Sequence, residues 1–438
     1  MQPQVSWTDL QNSKVGIWGY GVEGKASEAK LKSLGINPVI VDESLAETSV
    51  DKSLSFDSGG YDKLAKCDYV LKAPGISRYG EQAKKISSRV PLLGATGVWL
   101  QSIDHSKVVC ITGTKGKSTT SALIAAILEA IGFKVFLGGN IGRAPYEADS
   151  DIDYDYWVIE TSSYQVTDLS CGPKVVGITS LHPDHLNWHG DIETYYRDKL
   201  SIISLPGLEH LVVNADDHIL SQREEVADAE TTTSDDLTEL DGVETTLRGK
   251  HNRSNMALAL QCAAKLVGAD NLLSNQKVYD ALVNFAGLDH RFQTVGIIGN
   301  VEFINDSLST NVLPTIAAMQ ALAGENVAVI VGGFDRGVDS KDLVDYLLGR
   351  ADPTFVACIP ETGRWIAEAL AEAGMADAHV VPFDDLDSAC LGAFEWAKAQ
   401  DAGFVLLSPA AASFNAFKDY KDRGNTFARI VEELASAQ

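Results

Sequence analysis

Residues 110 to 128, CITGTKGKSTTSALIAAIL, set a glycine-rich turn with two lysines between a β-branched run and an apolar helical stretch. Such a turn aims successive backbone N–H groups and a helix N-terminus at one anion. Gly113, Thr114, Lys115, Gly116, Lys117, Ser118 and Thr119 are close to, though shorter than, the usual GxxxxGK[ST] phosphate loop. Lys117 can reach the β- and γ-phosphates of ATP, and the Ser118 hydroxyl can ligate Mg²⁺. An ordinary strand-to-helix turn is the plainer alternative; the buried strand before it and the helix after it favour ATP.

A second glycine turn, Gly19-Tyr-Gly-Val-Glu-Gly24, matches GxGxxG after the strand KVGIW. Asp42 ends the next strand about 20 residues on, as in a dinucleotide fingerprint. An NAD-dependent oxidoreductase would use this turn but leave the ATP turn idle. A different pyrophosphate-containing ligand suits the same helix N-terminus and accommodates both turns.

Other polar residues fall at strand ends. Glu160 closes DYWVIE and is placed to ligate Mg²⁺ beside Ser118, with a helix-capping or salt-bridged carboxylate as the alternative. His182, His185 and His189 in HPDHLNWH are spaced like metal ligands, yet the segment lacks the partners and helical pattern of a hydrolytic zinc site. The six cysteines are scattered, which argues against both a zinc site and a disulfide framework.

These turns must be held by strands and helices, and the chain alternates the two. Its 438 residues suggest about three domains at roughly 150 residues each. Three segments begin with strand-like runs: KVGIWGYG, NPVIVDES and CDYVLKAPG; KVVCITG, KVFLGG, DYWVIE, VVGITS and HLVVN; then VEFIN, NVAVIV, TFVACI, HVVPF and GFVLLS. The expected fold class is α/β, three domains with largely parallel sheets flanked by helices, divided near residues 100 and 288. The acidic stretch from Glu224 to Asp241 is read as a solvated loop or edge. A net charge of −24 argues against nucleic-acid and anionic-membrane partners, so any anionic ligand needs a local site. With no apolar run of 18 residues and no signal-peptide pattern at the start, a cytosolic protein without membrane insertion is expected.

An ordered series of motifs resembles the Mur ligase family, which adds amino acids to the UDP-linked muramoyl precursor of peptidoglycan. TGTKGKST resembles the family's TGTNGKST, with Lys115 where Asn is usual. GGNIG, ETSSYQ, DHLNWH, YYRDK, VVNADD, GKHNRSN, GLDHRF, INDS, GGFDRG and LLSPAAASFNAFKDYKDRGNTF follow in order over nearly the whole chain. The resemblance implies a Rossmann-like domain over 1–100 for the UDP part, a P-loop ATPase-like domain over 101–287, and a Rossmann-like amino-acid-binding domain over 288–438. It implies that Gly21, Val22, Asp42, Ala73, Gly75 and Asn140 surround uracil and diphosphate; Ala73 stands where Ser is common. ATP and two Mg²⁺ ions are implied, held by Ser118, Glu160, His185 and a Lys199 carbamylated by CO₂. Catalysis then falls to Lys117, His185 and Lys199.

For the nucleotide, the resemblance adds Asn255, Arg291 and Asp306. The amino-acid pocket is placed near Thr310, Arg336, Ser413 and Tyr420, where a dicarboxylate needs donors at both ends. The implied reaction is ATP-dependent addition of glutamate to UDP-N-acetylmuramoyl-L-alanine by a cytoplasmic monomer, serving cell-wall biogenesis and through it cell shape and division. D-glutamate is the first expectation and L-glutamate the alternative, because Leu308, Arg336 and Tyr420 depart from the usual Lys, Lys and Phe. A folylpolyglutamate-type ligase shares the chemistry but lacks a UDP-binding first domain.

Overall fold

The computed structural model describes residues 3–43, 55–147, 152–243, 245–247, 249–335, 340–376, 379–400 and 403–437. Three sheets account for the strands. The first contains β1 (Val15–Trp18), β2 (Val39–Val41), β3 (Tyr69–Lys72) and β4 (Leu92–Leu93), in the order β2-β1-β3-β4. The second contains β5 (Val108–Thr112), β6 (Val135–Gly139), β7 (Tyr156–Glu160), β8 (Val175–Ile178), β9 (His210–Asn214) and β10 (Glu230–Thr232), in the order β10-β9-β8-β5-β7-β6. Both are parallel throughout. Helices cover both faces of such sheets, so their strands read as unbroken apolar runs; every residue of β5 is buried.

The first two sheets share one apolar core. Ile17 and Leu71 of the first sheet join Trp99, Val108, Cys110, Ile159 and Val176 in a single buried cluster. On the opposite face of the second sheet, Val109 and Ile111 pack against the helices Lys117–Ala130 and Lys250–Val267 through Leu123, Ile127, Leu258 and Cys262. Residues Met1–Phe285 accordingly form one compact unit and Ala286–Gln438 a second. The boundary read near residue 100 lies within the first unit.

The second unit is built on β11 (Gln293–Ile298), β12 (Val301–Asn305), β13 (Val327–Val331), β14 (Thr354–Cys358), β15 (Val380–Pro382) and β16 (Gly403–Leu407). Their order is β11-β12-β16-β13-β14-β15, with only β11 antiparallel to its neighbour. Buried clusters fill both faces. The acidic stretch 224–241 holds edge strand β10 and three short 3₁₀ turns. Among the described residues, no helix is long and apolar enough to cross a membrane.

Candidate active site

β5 delivers the phosphate turn at the carboxyl edge of the second sheet, between β7 and β8, where the crossovers part and a ligand finds room. Gly113 (φ 139°) and Gly116 (φ 86°) make the turn possible. A Cβ on Gly113 would sit 2.0 Å from Thr179 Oγ1, and one on Gly116 would sit 2.6 Å from Asn255 Oδ1. The turn is braced from behind: Thr114 N–H donates to Ser180 O (2.9 Å) and Lys115 N–H to Ser180 Oγ (2.8 Å). Thr114 Oγ1 lies 2.8 Å from the Tyr195 hydroxyl. Lys117 opens the helix Lys117–Ala130, and its ammonium donates to Thr114 O (3.0 Å). Thr119 lies half-buried in the same first turn.

Beside the turn, buried Ser118 hydrogen-bonds through its hydroxyl to Glu160 Oε2 at the end of β7. Asn140, just past β6, donates its side-chain amide to Glu160 Oε1 (2.6 Å). Hydroxyl and carboxylate oxygens are what Mg²⁺ takes, and it fills its remaining positions from phosphate and water. The donor set therefore fits, although among the described residues no three His, Cys, Asp or Glu gather as a closed metal cage.

Lys199, on the helix Ile192–Leu200, is 2% exposed, and its ammonium donates to Gly113 O (2.8 Å). Burial, reinforced by the Lys117 charge, pushes its pKa well below the usual lysine value. His185 adopts a left-handed conformation (φ 53°) at the start of the short helix Leu186–His189; burial lowers its pKa while Asp184 opposes the change. His189 is buried and structural, between Ser163 and Asp198. His182 meets Asp217 at 3.0 Å on the wall of a cavity of about 490 Å³. Gly116, Asp216, Lys250, His251 and Asn255 complete much of that wall, a volume suited to a nucleoside.

On the first sheet, Gly21 and Val22 are exposed at the head of the helix Val22–Ser33, and Gly75 faces open space. Asp42 accepts the Tyr20 N–H (2.6 Å) and so braces the Gly19 turn. Ala73 continues β3, its N–H donating to Trp18 O (2.8 Å). Within the same turn Glu23 accepts from Gln165 Nε2 (2.7 Å), and burial raises its carboxyl to about 7.

In the second unit Asp306 follows β12 and is buried, accepting from Ser309 Oγ (2.6 Å), Ser408 Oγ (2.7 Å) and Phe292 N–H (3.1 Å). Arg291 adjoins this corner and its charge favours the ionised carboxyl. Thr310 N–H donates to Leu308 O (2.8 Å), and Tyr420 opens the helix Tyr420–Ser436 with its carbonyl accepting from Ser307 Oγ (2.8 Å). Ser413 is buried on the wall of a cavity of about 330 Å³ shared with Phe334, Glu361, Phe414 and Arg423. Arg423 is fully buried, held by Ser307 and the carbonyls of Ala411 and Ala412, and burial lowers its pKa to about 10. Arg336 lies outside the described residues.

Residues 111–264 match the Mur ligase middle domain. A UDP-N-acetylmuramoyl-L-alanine--L-glutamate ligase from a Micromonospora strain is 34% identical, covering 98% of this chain and 98% of its own length. The enzyme of the same name from Xanthomonas axonopodis pv. citri is 32% identical over 97% of this chain and 96% of its own length. The chain belongs to the Mur ligase family. Among solved structures, the UDP-N-acetylmuramate-alanine ligase MurC of Thermotoga maritima shares the fold, with a TM-score of 0.52 and 19% identity over 97% of this chain and 100% of that one.

As a Mur ligase the chain is an ATP-dependent acid–amino-acid ligase of peptidoglycan precursor synthesis. Motif reading missed how Tyr195 and His182 close around Thr114, whose hydroxyl bonds both the Tyr195 hydroxyl and the His182 carbonyl. No spacing rule links positions so far apart.

Asp306 also sets a pH dependence. Burial raises its carboxyl to about 6, whereas an unfolded aspartate titrates near about 4. Between those values the folded chain holds a proton that the unfolded chain has lost. Its stabilising contribution is therefore complete below about pH 4 and lost as pH rises through about 6. Thermal unfolding across this window should show wild type losing up to about 3 kcal/mol relative to Asp306→Asn. A parallel pH profile for the two proteins would contradict the assignment.

Proposed function

We propose that this Mur ligase joins L-glutamate to UDP-N-acetylmuramoyl-L-alanine in the cytoplasm, as a monomer, with ATP and two Mg²⁺ ions. The observation that carries the reading is the meeting of two lysines, 117 and 199, with the Ser118–Glu160 pair around one glycine turn. The sequence put D-glutamate first; the L-glutamate names of the relatives and the Leu308 and Tyr420 departures favour the other enantiomer. Residues 1–100 are assigned to the UDP part, with Gly21, Val22, Asp42, Ala73, Gly75 and Asn140 around it. Residues 101–287 are assigned to ATP, and 288–438 to the amino acid through Thr310, Arg336, Ser413 and Tyr420. Arg291 and Asp306 are kept for the nucleotide.

A carboxylate resists an amine because its oxygen leaves poorly and its carbon is shielded by charge. Passing the γ-phosphoryl of ATP to the carboxylate gives an acyl phosphate; the amine then attacks its carbonyl carbon and inorganic phosphate departs. Bringing two anions together requires charge neutralisation above all. Lys117 and the turn's N–H groups supply it from the protein, and Ser118 and Glu160 would hold Mg²⁺, which neutralises the phosphate oxygens when bound. His185 and Lys199 are assigned to the acceptor carboxylate and the second ion. Lys199 would act as a carbamate: its neutral Nζ adds to CO₂, one N–C bond forms, and a proton leaves to solvent. Burial supports this by lowering the lysine's pKa and so favouring the neutral amine.

Phosphate release with ATP, Mg²⁺ and UDP-N-acetylmuramoyl-L-alanine should depend on added L-glutamate and be at least about tenfold slower with D-glutamate, the size of a well-read chiral contact. Preference for the D enantiomer would reverse the stereochemical assignment. No release with either would reject the substrate.

A further inference from the structure

A chain of polar side chains, half-buried at Tyr79 and buried beyond it, links the first sheet's substrate loop to the second sheet's catalytic edge, and the reaction as described does not use it. The Tyr79 hydroxyl lies 2.7 and 2.8 Å from the two carboxylate oxygens of Asp198. Asp198 Oδ2 lies 2.7 Å from His189 Nδ1, and His189 Nε2 lies 3.0 Å from Ser163 Oγ. Ser163, His189 and Asp198 are 2%, 3% and 6% exposed. By distance alone the last three copy a hydrolase triad, but a nucleophile sealed in this way admits no substrate.

The ends of this chain are informative. Tyr79 lies four positions beyond Gly75, in the loop that begins with Ala73 and Pro74. Asp198 immediately precedes Lys199, and His189 ends the helix that His185 caps. Two further bonds run alongside: Ser77 Oγ donates to Trp188 O (2.7 Å), and Trp188 Nε1 donates to Pro74 O (3.0 Å). Behind them Lys72 and Asp168 form an ion pair at 2.9 Å, both buried, and Arg78 donates to Thr167 O (2.6 Å).

We propose that Tyr79, Asp198 and His189 are positioning residues that fix the separation between the 73–75 loop and the pair His185 and Lys199. The proposal rests on the substrate assignment above: one ligand must reach both places, its diphosphate at the loop and its carboxylate beside the lysine. A misplacement near 1 Å at the reacting carboxylate costs about a hundredfold in rate. Buried donors and acceptors tolerate few alternative geometries, which suits them to holding such a distance.

Tyr79→Phe removes one hydroxyl and leaves the ring. Its kcat should fall about tenfold or more, with the KM for ATP and the dissociation constant of UDP alone kept within about twofold, since each fragment touches only one side. Amide hydrogen exchange across 185–199 should quicken although the changed residue lies in the other sheet's loop. Wild-type kcat, or wild-type exchange across that segment, would overturn the proposal, as would joint loss of UDP and ATP binding with early thermal unfolding. If the wild type itself releases no phosphate, the substrate assignment fails and the exchange measurement alone decides the relay.

Discussion

Lys117→Ala should lower turnover by more than about a thousandfold, the scale expected when a main electrostatic stabiliser of a developing charge is removed. The side chain leaves a helix N-terminus immediately after the left-handed Gly116, so its position is fixed by backbone that alanine leaves untouched. Folding should therefore survive, and circular dichroism should match wild type while single-turnover phosphate release collapses. A second effect adds to the first. The Lys117 charge helps hold down the Lys199 pKa; without it that amine keeps its proton to higher pH and is less available to CO₂. The variant's pH–rate profile should accordingly move to higher pH. Substantial activity in the variant would remove Lys117 from the mechanism.

Lys199→Ala is the other large effect, with an expected loss of about a hundredfold to a thousandfold. Among the described residues no carboxylate lies within ion-pairing distance of this ammonium; Gly113 O accepts its hydrogen bond, and the Tyr195 ring centroid lies 5.1 Å away. A buried cation so poorly compensated is costly unless it is neutral or modified. Lys199→Arg keeps a cation that cannot form a carbamate and should be no more active than the alanine variant. Carbon-13 bicarbonate should give a lysine carbamate signal in wild type only. Absence of that signal, together with full activity of Lys199→Ala, would reject the role.

Much of this architecture was legible because buried parallel strands are written as continuous apolar runs. VVCIT, VAVIV and TFVAC are all strands with every residue buried. The strands not read lie at sheet edges. β4 is two residues long, β10 is the polar ETT, and β11 is half-exposed and turns back through Gly299 and Asn300. These three are too short, too polar or too exposed to carry a clear apolar run, so their patterns are weak. The phosphate turn was equally plain, since its parts are contiguous. GxGxxG alone suggests NAD; the ATP turn, which an NAD enzyme would leave idle, favours a different pyrophosphate ligand. The Tyr79–Asp198 contact joins residues 119 positions apart, and no local periodicity encodes such a meeting.

The apolar cluster common to the first two sheets bears on how such enzymes diversify. Trp99, Val108 and Ile159 are covered partly by Ile17, Leu71 and their neighbours. A gene fragment stopping after residue 100 would leave Ile17, Leu71 and Trp99 wet and sticky, favouring inclusion bodies over a free first-sheet module. Recombination among relatives would therefore exchange the opening 285 residues as a single cassette and find its permissive crossover at Ala286, where the second compact unit starts.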